Sequence, residues 1–122
     1  MLLGEIATYT DHRFTFLPDS KILRAHFPGQ PIVPGVCIMQ MVVEAVGQDM
    51  GCRLKLVSAR NVKFLAVLSP VAVSSVCLVY GVTYEAPSHS AHGIMRIKAE
   101  IKGEARVYAK MILLCEKMER RE

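Results

Sequence analysis

The first half of the chain contains one short polar-apolar segment and one long apolar segment. Residues 5–16 are rich in Thr, Phe and Tyr, which favours an edge strand or a hairpin. A Pro-Asp-Ser turn follows at residues 18–20. From Gly35 to Met50 apolar residues occur on every side of a helical repeat. This pattern predicts a buried helix that ends at Gly51.

The second half of the chain has the pattern of a sheet. The predicted strands are Leu54–Leu65, Val71–Tyr84, His92–Ile101 and Arg106–Cys115. The apolar face of the third is Met95, Ile97, Ala99 and Ile101. We therefore expect an α+β domain over residues 1–116, in which an antiparallel sheet packs against one helix, and a charged tail over residues 117–122. Because one helix covers only part of such a sheet, we also expect an oligomer.

The segment before the long helix is a stiff loop with candidate chemistry at both ends. Residues 26–35 contain three prolines and two glycines. His26 is a candidate acid or base, since imidazole titrates near neutral pH, or else a structural histidine. Gly35 and Val36 begin the helix, where N–H groups without an internal partner can polarise a carbonyl. The alternative is an ordinary helix start.

Three polar residues share one face of the predicted helix. Gln40, Glu44 and Gln48 are spaced four residues apart and form a single stripe. Polar groups inside an apolar helix are costly unless they have partners. Glu44 is therefore a candidate proton donor. The alternatives are a structural hydrogen-bond network and a dimer contact.

Composition excludes several classes of function. The net charge is +4 with interspersed signs and no Trp, which is not typical of nucleic-acid binding. No apolar run reaches the roughly 18 residues of a membrane helix, and the start lacks a secretory pattern. The cysteines have no metal-ligand spacing, so we expect reduced thiols in a cytoplasmic protein. They are Cys37, Cys52, Cys77 and Cys115.

The other histidines and the catalytic motifs add little. His89 and His92 have H-x-x-H spacing without a third ligand, and a loop explains them equally well. His12 has no visible partner. Neither a G-x-S-x-G motif nor a phosphate-binding glycine loop is present. We therefore expect no metal and no cofactor.

The stiff loop resembles a known signature. His26-Phe-Pro-Gly-Gln-Pro-Ile-Val-Pro-Gly-Val contains every fixed position of H-F-P-x-x-P-x-x-P-G, the pattern of hot-dog-fold 3-hydroxyacyl-[acyl carrier protein] dehydratases. Residues 62–64, 69–70 and 111–115 resemble that family more loosely. The resemblance implies a curved antiparallel sheet wrapped around one central helix, a dimer, and a 3-hydroxyacyl thioester substrate on acyl carrier protein.

The resemblance also implies roles for individual residues. His26 matches the base that removes the C2 proton, and Gly35 matches the amide donor to the thioester carbonyl. Phe27, Pro34 and Val36 are the implied substrate contacts. The family's acid, which the other subunit contributes, falls on Gln40.

The sequence departs from the family at this acid. The family has Glu or Asp first and Gln four residues later, whereas here Gln40 precedes Glu44. A carboxamide is not a general acid, and one helical turn displaces a group by about 5 Å. Three interpretations follow. In the first, Glu44 replaces the acid. In the second, His26 acts as both base and acid. In the third, the chain binds an acyl thioester without dehydrating it, with or without a partner subunit that supplies the carboxylate.

Two further alternatives concern the reaction and the carrier. Other hot-dog proteins are thioesterases. If this chain were one, Glu44 would be the base that activates water. The acyl group would be carried by acyl carrier protein or by coenzyme A. Basic residues flank the loop and the strand after the helix, and they would suit an acidic carrier or be a solvated face. These residues are Lys21, Arg24, Arg60 and Lys63.

Overall fold

The computed structural model describes residues 1–26, 29, 31–85 and 93–118, with only the backbone of His26. Within these residues the chain forms six strands and two helices. The helices are α1 (Lys21–His26) and α2 (Gly35–Met50). The strands are β1 (Ala7–Thr10), β2 (Arg13–Phe16), β3 (Leu54–Phe64), β4 (Ser75–Glu85), β5 (Ile94–Lys102) and β6 (Val107–Lys117).

The strands form one antiparallel sheet in the order β1-β2-β4-β5-β6-β3. Strand β3 follows the helix in sequence but pairs with β6, so it lies at one edge of the sheet. Its ladder with β6 has two register shifts, between Leu56 and Ser58 and between Arg60 and Lys63. Such irregularities bend a strand. The predicted α+β fold, a curved sheet around one helix, is confirmed.

Helix α2 packs on one face of this sheet. Residues of α2 and of β5 and β6 form a common apolar core. The alternation predicted for the third strand is confirmed, because all its apolar-face residues are at most 2% exposed. The buried apolar residues of these elements are Ile38, Met41, Val42, Val43, Ala45, Val46, Met95, Ile97, Ala99, Ile101, Tyr108, Ala109, Met111, Leu113, Leu114 and Cys115.

The other side of α2 is open in the single chain. Val36 is 72% exposed, and Gln40 and Gln48 are exposed as well. The prediction that the helix is buried on all sides is therefore wrong for the isolated subunit. The physical reason is that one curved sheet faces only one side of a helix, and the chain supplies no second layer among the described residues.

A short helix precedes the stiff loop and was not predicted. Helix α1 begins after Ser20, whose Oγ accepts the Leu23 N–H at 3.3 Å. Ser20 is 5% exposed and Leu23 is 3% exposed. A serine in this position is a common helix start. The six residues that follow are too few for a periodic pattern to reveal the helix.

Strand β6 extends further than its pattern predicts. Glu116 and Lys117 pair with Lys55 and Leu54, so the strand includes the first residue of the expected tail. Residues 119–122 of that tail lie outside the described residues, as do residues 86–92 with His89 and His92. Neither helix among the described residues is long and apolar enough to cross a membrane.

Candidate active site

Helix α2 begins without a side-chain cap. Pro34 precedes it at φ −61° and ψ 147°, and no side chain of this residue bonds the first turn. The Pro34 carbonyl accepts the N–H groups of Cys37 and Ile38, both at 3.0 Å. The earlier amides, of Gly35 and Val36, have no acceptor inside a helix, and the helix dipole is positive there. This end can therefore donate hydrogen bonds to a ligand oxygen.

The Phe64 ring lies directly against Gly35. A Cβ atom at position 35 would be 2.6 Å from both Cε2 and Cζ of that ring, closer than side chains pack. Glycine therefore permits the end of β3 to approach the helix start. Phe64 is itself 48% exposed, so its ring has one face on the helix and one open face.

An apolar groove of about 390 Å³ opens at this junction. Its walls are the approach to the helix and the segment that follows β3. The Val33 N–H donates to the Leu68 carbonyl at 2.9 Å and ties the two walls together. Pro34 lines the groove, whereas Val36 does not. The lining residues are Ile32, Val33, Pro34, Gly35, Ile38, Phe64, Leu65, Ala66, Val67 and Leu68.

The predicted base lies close to this region in sequence. His26 is the last residue of α1, and only its backbone is described. Its side chain and the whole of Phe27 lie outside the described residues. The roles expected for these two residues therefore stay predictions.

The polar stripe of α2 is not an interior stripe. Gln40 and Gln48 are exposed, and Glu44 is half-buried. Gln40 Nε2 donates to Glu44 Oε2 at 3.0 Å, and Gln48 Nε2 donates to the Tyr9 carbonyl at 3.2 Å. The stripe therefore makes hydrogen bonds at each position, on a face that the sheet leaves uncovered.

Glu44 holds the beginning of the chain. Its Oε2 accepts the Leu2 N–H and its Oε1 accepts the Leu3 N–H, both at 3.0 Å. Together with Gln40, three N–H donors reach one carboxylate. Both carboxylate oxygens therefore already act as hydrogen-bond acceptors within the subunit. These contacts tie Glu44 to residues 2 and 3, and its predicted role as a proton donor stays a prediction.

The other end of α2 carries a cluster that sequence reasoning missed. Asp49 Oδ2 accepts the hydroxyls of Tyr9 and Tyr80, both at 2.7 Å. His12 Nδ1 lies 3.3 Å from the Tyr9 hydroxyl and 3.8 Å from Asp49 Oδ2. The expectation that His12 has no partner is therefore wrong. These residues come from β1, its turn, α2 and β4, so no local spacing signals the cluster.

Burial and the neighbouring carboxylate act together on the two tyrosines. Desolvation, followed by the hydrogen bond to Asp49, raises the pKa of Tyr80 to about 12. The same causes raise the pKa of Tyr9. Both hydroxyls therefore stay protonated at neutral pH and donate to the carboxylate.

The basic residues near the loop do not form one patch of free charges. Arg24 Nη2 pairs with Asp19 Oδ1 at 3.0 Å, within exposed surface. Lys21, Arg60 and Lys63 are exposed. An exposed pair of this kind contributes little stability, so Arg24 is also accessible to a partner.

The described residues show neither a disulfide bond nor a cluster of metal ligands. All four cysteines are free thiols. Burial raises the pKa of Cys115 to about 11, and it raises that of Cys37 as well, which makes both thiols poor nucleophiles. The described residues contain no group of three His, Cys, Asp or Glu side chains that would hold a metal ion.

The chain matches the model of a known protein family. The family model described as ApeI-like, ApeI dehydratase, matches residues 6–92, which is well over half of the chain. The matched region contains the stiff loop, helix α2 and the groove at its beginning. No curated protein matches the chain.

Proposed function

The chain belongs to the ApeI-like dehydratase family, a family of hot-dog-type dehydratases, and on that basis we propose that it dehydrates a 3-hydroxyacyl thioester to the trans-2-enoyl thioester. The observation that carries this proposal is the uncapped start of α2 beside an apolar groove. The groove suits an acyl chain, and the Gly35 N–H suits a thioester oxygen.

In the proposed reaction His26 removes the proton at C2. The electron pair of that C–H bond forms the C2–C3 double bond as the C3–O bond breaks, and the hydroxyl leaves as water. The Gly35 N–H donates to the thioester oxygen, where negative charge develops in the transition state. One such donor in a desolvated site contributes about 10²–10³ in rate.

We assign the proton return to His26. The leaving hydroxyl needs a proton, and the imidazolium formed in the first step holds one. Glu44 is an unsuitable donor because both of its oxygens accept backbone N–H groups. Gln40 stands at the family's acid position and is exposed on the open side of α2. Its carboxamide would contact the 3-hydroxyl without donating a full proton.

We propose that the working unit is a homodimer. The exposed side of α2 bears Val36 and Gln40, and the outer edge of β3 has no paired strand among the described residues. Long unpaired edges invite pairing with another chain. In such a dimer the Gln40 face of one subunit would complete the groove of its partner, so an isolated subunit would be incomplete.

We propose acyl carrier protein as the carrier of the substrate, with coenzyme A as the alternative. Support comes from the exposed basic residues Lys21, Arg60 and Lys63, which suit an acidic protein partner. The free cysteines fit a reducing compartment, so we place the protein in the cytoplasm.

The test is conversion of a 3-hydroxyacyl carrier-protein thioester to its enoyl product, followed by mass spectrometry. We expect turnover by the wild type and a loss of about 10²–10⁴-fold in His26→Ala. Glu44→Gln should cost less than about tenfold, because its amide oxygen still accepts one N–H.

The sharpest variant restores the family's carboxylate. Gln40→Glu should raise kcat by supplying a proton donor, whereas Gln48→Glu, which adds the same charge two turns along the helix, should not. If Glu44→Gln is as inactive as His26→Ala while its thermal unfolding is unchanged, Glu44 is the acid and our assignment of the proton return fails.

A second candidate function is a thioester-binding subunit that needs a catalytic partner. The observation that favours it is the absence of a proton-donating carboxylate at Gln40. In the same assay this function predicts that the wild type binds the thioester and leaves it unchanged. Gln40→Glu would then be expected to gain turnover that the wild type lacks.

A further inference from the structure

A second cavity, of about 630 Å³, lies at the same end of the sheet as the start of α2. It is enclosed by the connection after β3, the first residues of β2 and β4, and the turn between β5 and β6. Its lining residues are Arg13, Val67, Ser69, Ala72, Val73, Ser74, Ser75, Cys77, Lys102, Gly103, Glu104, Ala105, Arg106 and Tyr108.

Positive charge dominates this cavity. Arg13, Lys102 and Arg106 line it against a single carboxylate, Glu104. Lys102 Nζ is partly neutralised by Glu100 Oε2 at 3.3 Å. Arg13 and Arg106 form no ion pair with the described residues. Gathering like charges in one concave surface costs energy, and an anionic ligand would offset that cost.

The cavity wall also offers uncharged hydrogen-bond donors. Three serines line it, Ser69, Ser74 and Ser75. The Arg13 Nη1 donates to Ser75 Oγ at 2.9 Å, which orients the guanidinium along the wall. Guanidinium and hydroxyl donors around a concave site are the set that phosphate oxygens accept most favourably.

The wall that carries Arg106 is a tight turn. A Cβ atom at Gly103 would be 2.6 Å from Cε2 of the Tyr108 ring, so only glycine lets the turn lie on that ring. The Gly103 N–H donates to the Arg106 carbonyl at 2.8 Å. Tyr108 is 7% exposed and fixes the base of the turn. The backbone that presents Arg106 is thus held before any ligand arrives.

The cavity adjoins the apolar groove at the start of α2. Val67 lines both, and the next residues along the chain divide between them, Leu68 in the groove and Ser69 in the cavity. Val67 is 66% exposed, so an elongated ligand with an apolar end and an anionic end can lie over its side chain and reach both sites. Such a ligand would place its anionic group among the arginines.

We propose that this cavity binds a phosphate ester group through Arg13 and Arg106. The shared chemistry is a phosphate with several oxygens facing guanidinium and serine donors. Its source would be the phosphorylated thiol arm that carries the acyl thioester, an identification that rests on the proposed function, or a free phosphorylated small molecule.

The experiment measures binding without turnover. Calorimetry at low salt compares 4′-phosphopantetheine, pantetheine and inorganic phosphate as probes of the wild-type protein. Two or so charge-assisted hydrogen bonds predict binding of the phosphorylated arm about 10–100-fold tighter than that of pantetheine. Added salt should reduce that difference.

Variants locate the phosphate. Arg13→Gln and Arg106→Gln should each reduce the preference for the phosphorylated arm, and Arg106→Lys should keep part of it. Lys55→Gln, on β3 outside the cavity, removes the same charge and should leave the preference unchanged. Tight binding of inorganic phosphate, with no advantage for the phosphorylated arm, would support the site and assign it to free phosphates.

Equal binding of the phosphorylated arm and pantetheine, without binding of inorganic phosphate, overturns the inference. So does an equal loss of binding in the Lys55 control. Either result leaves the dehydration assay unaffected. Conversely, a protein that prefers the phosphorylated arm but fails to dehydrate the thioester keeps this site and loses the proposed reaction.

Discussion

The two ends of helix α2 differ in how their polar groups are satisfied. At the beginning, Pro34 gives no side-chain cap, Phe64 lies on Gly35, and an apolar groove faces the first amides. Nothing in the local sequence stabilises this end beyond the proline that precedes it. The donors there are available to a ligand.

The opposite end is closed by specific contacts. Gly51 is left-handed at φ 70°, its N–H donates to the Gln48 carbonyl at 3.2 Å, and the Cys52 N–H donates to the Gly47 carbonyl at 3.0 Å. This is a Schellman ending. Asp49 Oδ2 also accepts hydrogen bonds from two tyrosine hydroxyls, both at 2.7 Å. Hydrogen bonds therefore hold the helix to β1 and β4.

If the proposed reaction takes place at the first turn, helix α2 separates stability from chemistry along its length. Its final turn is bonded to the sheet, and its first turn is open beside a groove. Changes at the final turn should act on unfolding, and changes at the first turn on turnover.

Removal of one amide at the first turn should have the largest effect. Gly35→Pro deletes the N–H, and Pro34 already has the extended backbone that a residue before proline requires. Gly35→Ala keeps the N–H and introduces the same Cβ against Phe64. We expect kcat/KM of the proline variant to be about 10²–10³-fold below that of the alanine variant.

Equal kcat/KM values for these two variants would show that the Gly35 amide does not act in the reaction. Thermal unfolding of both, measured in parallel, separates a loss of turnover from a loss of folded protein.

Removal of Asp49 should act on stability. Asp49→Ala leaves two tyrosine hydroxyls without their shared acceptor, and hydrogen bonds to charged groups contribute about 1.5–3 kcal/mol each. Because the Tyr80 hydroxyl is exposed and regains a water partner, we expect less than two full contributions, a fall of about 2–3 kcal/mol in the free energy of unfolding in urea titrations. Asp49→Asn, which keeps one acceptor oxygen, should lose less. If the Asp49→Ala protein is folded but shows a large drop in kcat, the final turn of α2 affects turnover as well as stability, which contradicts our expectation.

Substitution of Gly47 by alanine should destabilise the protein, although alanine has the higher helix propensity. Glycine to alanine inside a helix normally stabilises by up to about 1 kcal/mol. At Gly47 a Cβ atom would be 2.7 Å from the Cys52 backbone oxygen, which cannot rotate away. We expect Gly47→Ala to destabilise by about 1–3 kcal/mol. Gly81→Ala, where no atom lies within 4 Å, is the matched control. Stabilisation of Gly47→Ala would disprove the close approach.

Alkaline pH should lower the free energy of unfolding through Tyr80, and we expect this effect to be the smallest of those described. The folded protein raises the pKa of Tyr80 to about 12, above its ordinary value of 10.0. This stabilising contribution is therefore fully present below pH 10 and is lost as pH rises towards about 12. We expect the free energy of unfolding to decline across that window, and to decline less in Tyr80→Phe. An identical decline in both proteins would exclude Tyr80 as its origin.

Much of the fold was predictable because its periodicities are unambiguous. The alternation in β5 identified its buried face, and the apolar run from Gly35 to Met50 gave both ends of α2. Sequence patterns could not reveal which side of α2 stays uncovered, since that depends on how far the sheet curves. Helix α1 was missed because its start depends on one serine.

The candidate site was predictable only in part. The proline-rich loop and Gly35 were visible because their spacing is local. The anchoring of Glu44 by Leu2 and Leu3 joins residues about 40 positions apart, and no short pattern encodes it. The same holds for Asp49 with Tyr9 and Tyr80. Long-range hydrogen bonds thus determine which partners these two carboxylates have.

The most direct test of proton transfer at C2 by His26 is the reverse reaction in D₂O. A trans-2-enoyl thioester incubated with the protein should gain water at C3 and one deuterium at C2, with the thioester intact, and His26→Ala should incorporate none. Free carboxylic acid without deuterium at C2 would contradict the account, because it would show attack on the thioester carbonyl in place of proton transfer at C2.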